Sequence, residues 1–261
     1  MTMRQEQESR IRSVVVPGRQ ADLIGLEMAE IPSGARLEIR PDGELVAVVF
    51  SGVVDVTADG EHLGRAGGRR NVFEGAGHAI YAPPGVALLL TAVDGPVEVA
   101  LTTAPVSEPS TLRPRIVGPE DQEIADRGSG SFARRVRTIL GPRSEAGRLL
   151  VGETINPPGN WSSYPPHKHD MQRPPVENHF EEIYLFKVDP PAGFGVQIRY
   201  SETGEECVLV RDGDVSVIKS GYHPVAAAPG YSLYYLWVMA GEGRQPIAYF
   251  DPAHTWVERR S

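Results

Sequence analysis

The chain has 261 residues, 41% of them hydrophobic and 23% charged, a balance that supports buried cores and excludes disorder as the main state. A formal net charge of -8 without any Lys/Arg block argues against nucleic acid as a partner, and a single cysteine, Cys207, excludes an intramolecular disulfide. With 28 glycines and 23 prolines, turns must be frequent and helices few, so an all-β architecture is expected.

The stretch Met1 to Arg10 is polar where a signal peptide needs an apolar core, and no later apolar run approaches membrane-spanning length. No membrane partner and a cytoplasmic location are expected. Alternating or apolar segments then recur between turn signals: Glu44 to Phe50, Val53 to Ala58, Val86 to Val93 and Val97 to Thr103 all read as strands. Asp-Gly pairs at Asp42-Gly43, Asp59-Gly60, Asp94-Gly95 and Asp212-Gly213 fall between such segments, where a positive φ closes hairpins. From Pro105 to Ser131 the chain turns polar, which predicts a first domain over residues 1–105, a crossing over 106–131 and a second domain over 132–261.

An internal repeat supports two related domains. Gly77-His78-Ala79-Ile80-Tyr81-Ala82-Pro83-Pro84-Gly85 aligns without gaps on Tyr222-His223-Pro224-Val225-Ala226-Ala227-Ala228-Pro229-Gly230. His78 thus falls on His223, and Pro84-Gly85 on Pro229-Gly230.

Chemistry concentrates in the second half. His167 and His169 in Pro165-Pro166-His167-Lys168-His169-Asp170 stand two residues apart, which on a strand puts both imidazoles on one face. Alone, such a pair reads equally well as two surface histidines in a Pro-rich loop. Downstream, Glu181 or Glu182 supplies a carboxylate. If Lys187 points to solvent, alternation turns Glu182, Tyr184 and Phe186 inward, selecting Glu182 and leaving Glu181 an ordinary solvated acid. His223 follows a strand-like Asp214 to Ile218 and a glycine turn, and completes a candidate set of His167, His169, Glu182 and His223 for one divalent metal ion. His179 reads as a rival ligand or acid/base, or as a loop histidine. His62 and His254 lack partners nearby in sequence, and no His-x-His precedes Glu44, so the first domain is expected to carry no metal.

This order of His-x-His, a Glu on the next strand and a His after a glycine turn resembles the two cupin motifs. It implies two tandem cupin-like jelly-roll β-barrels, a bicupin. The residues Met171 to Glu181 lengthen the usual spacing, and this Pro-rich insertion reads either as a lid over the cavity mouth or as a surface loop.

A wider resemblance is carried by Ser163-Tyr164-Pro165-Pro166-His167-Lys168-His169-Asp170, Glu181-Glu182-Ile183-Tyr184, Gly193-Phe194-Gly195-Val196-Gln197, Gly221-Tyr222-His223-Pro224-Val225, and Ala228-Pro229-Gly230-Tyr231 through Tyr234-Tyr235-Leu236. With these the chain resembles the 5-deoxy-glucuronate isomerases of myo-inositol catabolism, related to the 5-keto-4-deoxyuronate isomerases; Trp237 departs from the pattern. The resemblance implies an aldose–ketose isomerisation of a small sugar acid, 5-deoxy-glucuronate, to 5-dehydro-2-deoxy-gluconate. A cation on three imidazoles and one carboxylate suits it, because polarising the substrate carbonyl acidifies the neighbouring C–H and stabilises an enediolate. Zn or Mn is expected as the ion, with Fe or Ni also compatible with the ligand types.

No residue declares itself as the base. Gln197 and Tyr235 are the candidates for catalytic contacts, and Arg199, on the same strand face as Gln197, for binding the substrate carboxylate. Two other readings compete: an Fe(II) cupin dioxygenase, and a non-catalytic sugar-binding cupin. Exposed sheet edges on two barrels make a homo-oligomer the expected assembly.

Overall fold

A computed structural model of the chain describes residues 8–106 and 111–260. By contacts the chain divides into two units. One comprises the chain up to Gln20, Ile24–Gln122 and Glu145–Leu149; the other comprises Ala21–Leu23, Glu123–Ser144 and the chain from Leu150 onward. Among the described residues all the regular structure is β apart from three short 3-10 turns, as the glycine and proline content requires.

The first unit is built on two long antiparallel strands, Glu44–Ala58 and Leu88–Ala104, flanked by Gly25–Ile31, Arg36–Ile39, Ala79–Ala82 and Glu61–Gly67. Leu45, Val49, Val54, Val56, Ile80, Leu88, Leu90, Val99 and Leu101 form its core. Each such aliphatic contributes about 1.5–3 kcal/mol on burial.

Asp59-Gly60 closes a two-residue hairpin between Ala58 and Glu61, with φ of 45° and 87°. The hairpin expected at Asp94-Gly95 is absent. Segments 86–93 and 97–103 run on as one strand, because both pair with the same partner (Val93 with Val53, Val99 with Val49), and Asp94-Gly95 makes a bulge instead.

The second unit stacks two sheets. The larger runs in the order Val215–Ile218, Phe180–Asp189, Ser232–Gly241, Leu150–Asn156, Arg134–Leu140, Glu123–Arg127; the smaller in the order Trp161–Ser162, Val225–Ala227, Gly195–Ser201, Gly204–Val210. Tyr184, Phe186, Ile218 and Tyr235 from the first meet Val210 and Val225 from the second in one core. A two-stranded ribbon pairs His167–Lys168 with Tyr249–Phe250. Residues 106–131, expected as a crossing, contribute the strands Arg115–Val117 and Glu123–Arg127, whose three and five residues are too few to show an apolar period.

The repeat is structural as well. His78 precedes the strand Ala79–Ala82 and His223 precedes Val225–Ala227, and each strand leads into a left-handed glycine, Gly85 at φ 78° and Gly230 at φ 85°.

Candidate metal centre

Three of the four expected ligands converge. His169, Glu182 and His223 are buried, and each offers a ligand atom within 4.8 Å of the others. His169 Nε2 lies 3.1 Å and His223 Nε2 3.3 Å from the same oxygen, Glu182 Oε2. His167 stands beside this trio, its ring 5.0 Å from that of His223 and 6.3 Å from that of His169, covered by Phe250 at 5.5 Å.

Backbone carbonyls dictate how these rings are protonated. His169 Nδ1 lies 2.8 Å from the Phe180 carbonyl and His223 Nδ1 3.0 Å from the Gly221 carbonyl. A carbonyl only accepts, so each Nδ1 carries the hydrogen, and in the neutral ring Nε2 is a bare lone pair. His167 Nδ1 is turned to the Pro165 carbonyl in the same way, at 3.5 Å. Two lone pairs therefore face one carboxylate oxygen, and His223 Nε2 is buried with no hydrogen-bond partner. That arrangement is repulsive unless a positive species, a proton or a metal ion, sits among the three groups.

The electrostatics agree. Burial alone would lift Glu182, yet His169 and His223, whose Nε2 atoms donate to its carboxylate once a proton sits on them, hold its carboxyl down at about 2. For His169, burial pulls down but the Glu182 carboxylate outweighs it, and the net direction is up. His167, which receives little from Glu182, is pushed down to about 3 by burial and by its two imidazole neighbours. Three imidazoles and one carboxylate, with Nδ1 donors already committed, form a donor set that suits a divalent cation.

The strand Phe180–Asp189 decides which glutamate serves. Glu182, Tyr184 and Phe186 face the core as alternation predicts. Glu181 is not solvated, however: it is 3% exposed and accepts hydrogen bonds from the backbone N–H groups of Asp22 and Leu23. Both faces of this strand are covered, so its second carboxylate had to find buried donors.

Gln197 is buried, and neither amide atom has a hydrogen-bond partner. It shares its strand face with Gly195, where an added Cβ would meet Leu233 and Val210 of the core. Tyr235 packs on Tyr184 with ring centres 4.3 Å apart and donates to Ser162 Oγ at 2.9 Å. Arg199 pairs with Glu206 at 2.7 Å and donates to the Val217 carbonyl at 3.1 Å.

His179 is only partly buried and lies outside the converging trio; His62 is exposed beside Asp55, and His254 faces Tyr164. Sequence reasoning passed over Ser163, which holds φ of 49° and binds the Tyr184 hydroxyl at 2.8 Å. No local signal marks a serine for that backbone conformation.

Comparison with known proteins fixes the kinship: the family described as KduI/IolB matches residues 1–257. The chain belongs to the KduI/IolB family. Proteins named 5-deoxy-glucuronate isomerase are among its relatives. That of Geobacillus kaustophilus is 38% identical over 240 residues, covering 90% of this chain and 86% of its own. That of Bacillus subtilis is 38% identical over 256 residues, covering 96% and 93%. An IolB-like protein from Salmonella typhimurium LT2 superposes with a TM-score of 0.89 at 30% identity, covering 95% of this chain and 94% of that one. The oxalate decarboxylase of Lactobacillus farciminis, at 15% identity and a TM-score of 0.66 over 95% of this chain and 86% of its own, shares the fold alone. That fold is the all-β tandem cupin-like barrel that the order of His-x-His, Glu and His led us to expect.

Proposed function

We propose that the protein is a 5-deoxy-glucuronate isomerase whose divalent ion is held by His167, His169, Glu182 and His223. The observation that carries the site is the pair of Nε2 lone pairs aimed at one buried carboxylate oxygen, with His167 beside them. The activity rests on family membership and on the names of relatives that span nearly the whole chain.

A divalent cation held by His167, His169, Glu182 and His223 would supply a Lewis acid for the carbonyl of an open-chain sugar acid, which would acidify the adjacent C–H with no redox change. The mixed nitrogen and oxygen donors fit Zn or Mn, and also Fe or Ni. The chain's own residues supply the rest. The fixed Nδ1–H bonds orient the imidazoles in advance of loading. Gln197 brings an amide whose donor and acceptor are both unspent, suited to one substrate hydroxyl and one oxygen acceptor, and Tyr235 offers a hydroxyl that can exchange Ser162 for substrate. Arg199 can take the substrate carboxylate if it exchanges Glu206 for it; Glu206 is 55% exposed, and such a pair is worth only about 0–1 kcal/mol.

A cytoplasmic setting fits the free, exposed thiol of Cys207, and no helix among the described residues is long and apolar enough to cross a membrane. A homo-oligomer remains our expected assembly, to be read by light scattering.

Elemental analysis of wild type and His223→Ala, paired with turnover of 5-deoxy-glucuronate, tests the reading. About one ion per chain with turnover, both lost in the variant, is expected. An ion without turnover, with oxygen consumed on iron loading, would replace the isomerase by a dioxygenase, and no ion in either protein would remove the metal centre.

A further inference from the structure

The insertion between the His-x-His pair and Glu182 is organised around a carboxylate that the reaction does not call for. Glu177 is fully buried. It accepts the backbone N–H groups of Asp170 at 2.8 Å and Met171 at 3.0 Å and the Arg173 guanidinium at 2.6 Å, with Lys168 Nζ at 3.4 Å. Lys168 also binds Asp170, so two cations and two carboxylates close into a cluster without net charge. Neutrality lets the cluster be buried at modest cost. Residues 171–176 are exposed, but their backbone folds back on itself through the Arg173–Glu177 bridge.

Asp170 faces two ways. One oxygen holds Lys168 in the cluster; the other accepts the Gly221 N–H at 2.8 Å. Gly221 in turn presents its carbonyl to His223 Nδ1 at 3.0 Å. Gly221 sits at φ 81°, and an added Cβ would come 2.7 Å from the Tyr200 carbonyl, so the turn has no slack in which to reorient. A continuous line of hydrogen bonds thus runs from Glu177 through Asp170 and Gly221 to the ring that must present Nε2.

We propose that Asp170 is a positioning residue for His223, acting through Gly221, and that the Pro-rich insertion is the buttress that holds Asp170 by way of Glu177 and Lys168. The inference rests on the metal-centre reading above and adds to it the source of His223's orientation. It assigns the insertion a fixed supporting role in place of that of a moving lid.

The test uses full-length protein, uniformly labelled at histidine nitrogens, as wild type, Asp170→Ala, the near-isosteric Asp170→Leu, and Asp170→Asn, which keeps an acceptor for Gly221. Two readouts are taken: the His223 Nδ1–H signal in chelator-treated protein, assigned by its loss in His223→Ala, and Co²⁺ affinity from visible absorption. We expect Asp170→Ala and Asp170→Leu to lose the hydrogen-bonded His223 signal and to bind Co²⁺ about 10–100-fold more weakly, with Asp170→Asn restoring most of both. Removal of a merely structural contact would lower the melting temperature of the metal-free protein and leave Co²⁺ affinity and the His223 signal unchanged; that result overturns the proposal. If wild type binds no Co²⁺ while the His223 signal still depends on Asp170, the metal reading fails and the positioning role stands.

Discussion

Replacing Glu182 by Gln keeps the side-chain volume and removes the charge on which His169 and His223 converge. In metal-free protein that charge is held by folding: burial opposes it, but the two imidazoles bring the carboxyl from its ordinary 4.5 to about 2. At about 1.4 kcal/mol per pH unit, the displacement corresponds to about 3 kcal/mol of stability. A depressed carboxyl contributes fully above pH 4.5 and loses its contribution as pH falls toward about 2. His169 moves oppositely, since Glu182 outweighs its burial and raises it; its contribution is full below 6.5 and fades as pH rises through the raised value. Both describe one interaction, so they are not summed. Chelator-treated wild type should therefore exceed Glu182→Gln by about 3 kcal/mol in urea unfolding near pH 6. The gap should narrow toward pH 9 and again toward pH 2. Metal at roughly 100 times its Kd should add about 2.7 kcal/mol to wild type and little to the variant. A variant within about 1 kcal/mol of wild type near pH 6, or one equally stabilised by metal, would refute the convergence of these three groups.

Two further substitutions separate activity from stability. Gln197→Met should raise metal-free stability by about 1 kcal/mol, because an unpaired buried amide is replaced by an apolar chain of similar size, while kcat/KM for the sugar acid falls at least tenfold; unchanged kinetics would remove Gln197 from the site. Glu181→Ala should cost about 2–4 kcal/mol in urea unfolding, since it strands the N–H groups of Asp22 and Leu23, whereas a solvated acid would move stability by less than about 0.5 kcal/mol.

The convergence of His169, Glu182 and His223, with His167 beside them, was legible because its geometry is local. Two histidines two residues apart share a strand face, alternation separates Glu182 from Glu181 on the strand Phe180–Asp189, and the Gly221 turn precedes His223. What alternation did not reveal was the second covered face, which turned Glu181 from a solvated acid into a buried acceptor. The expected Asp94-Gly95 hairpin failed for a related reason: the dipeptide allows a reversal or a bulge, and the partner strand Glu44–Ala58 chose between them.

By itself, then, the sequence determined the all-β class through its glycines and prolines, the repeat through His78 and His223, and the candidate metal set through spacing and parity. Only the tertiary structure decided which nitrogen of each imidazole is bare, since that depends on carbonyls supplied by Phe180 and Gly221. It also decided that Gln197 is left without partners and that Asp170 reaches Gly221, residues 51 apart in the chain. Periodicity reports which face a side chain takes; which atoms meet it there is set by chain segments distant in sequence, and no local pattern encodes them.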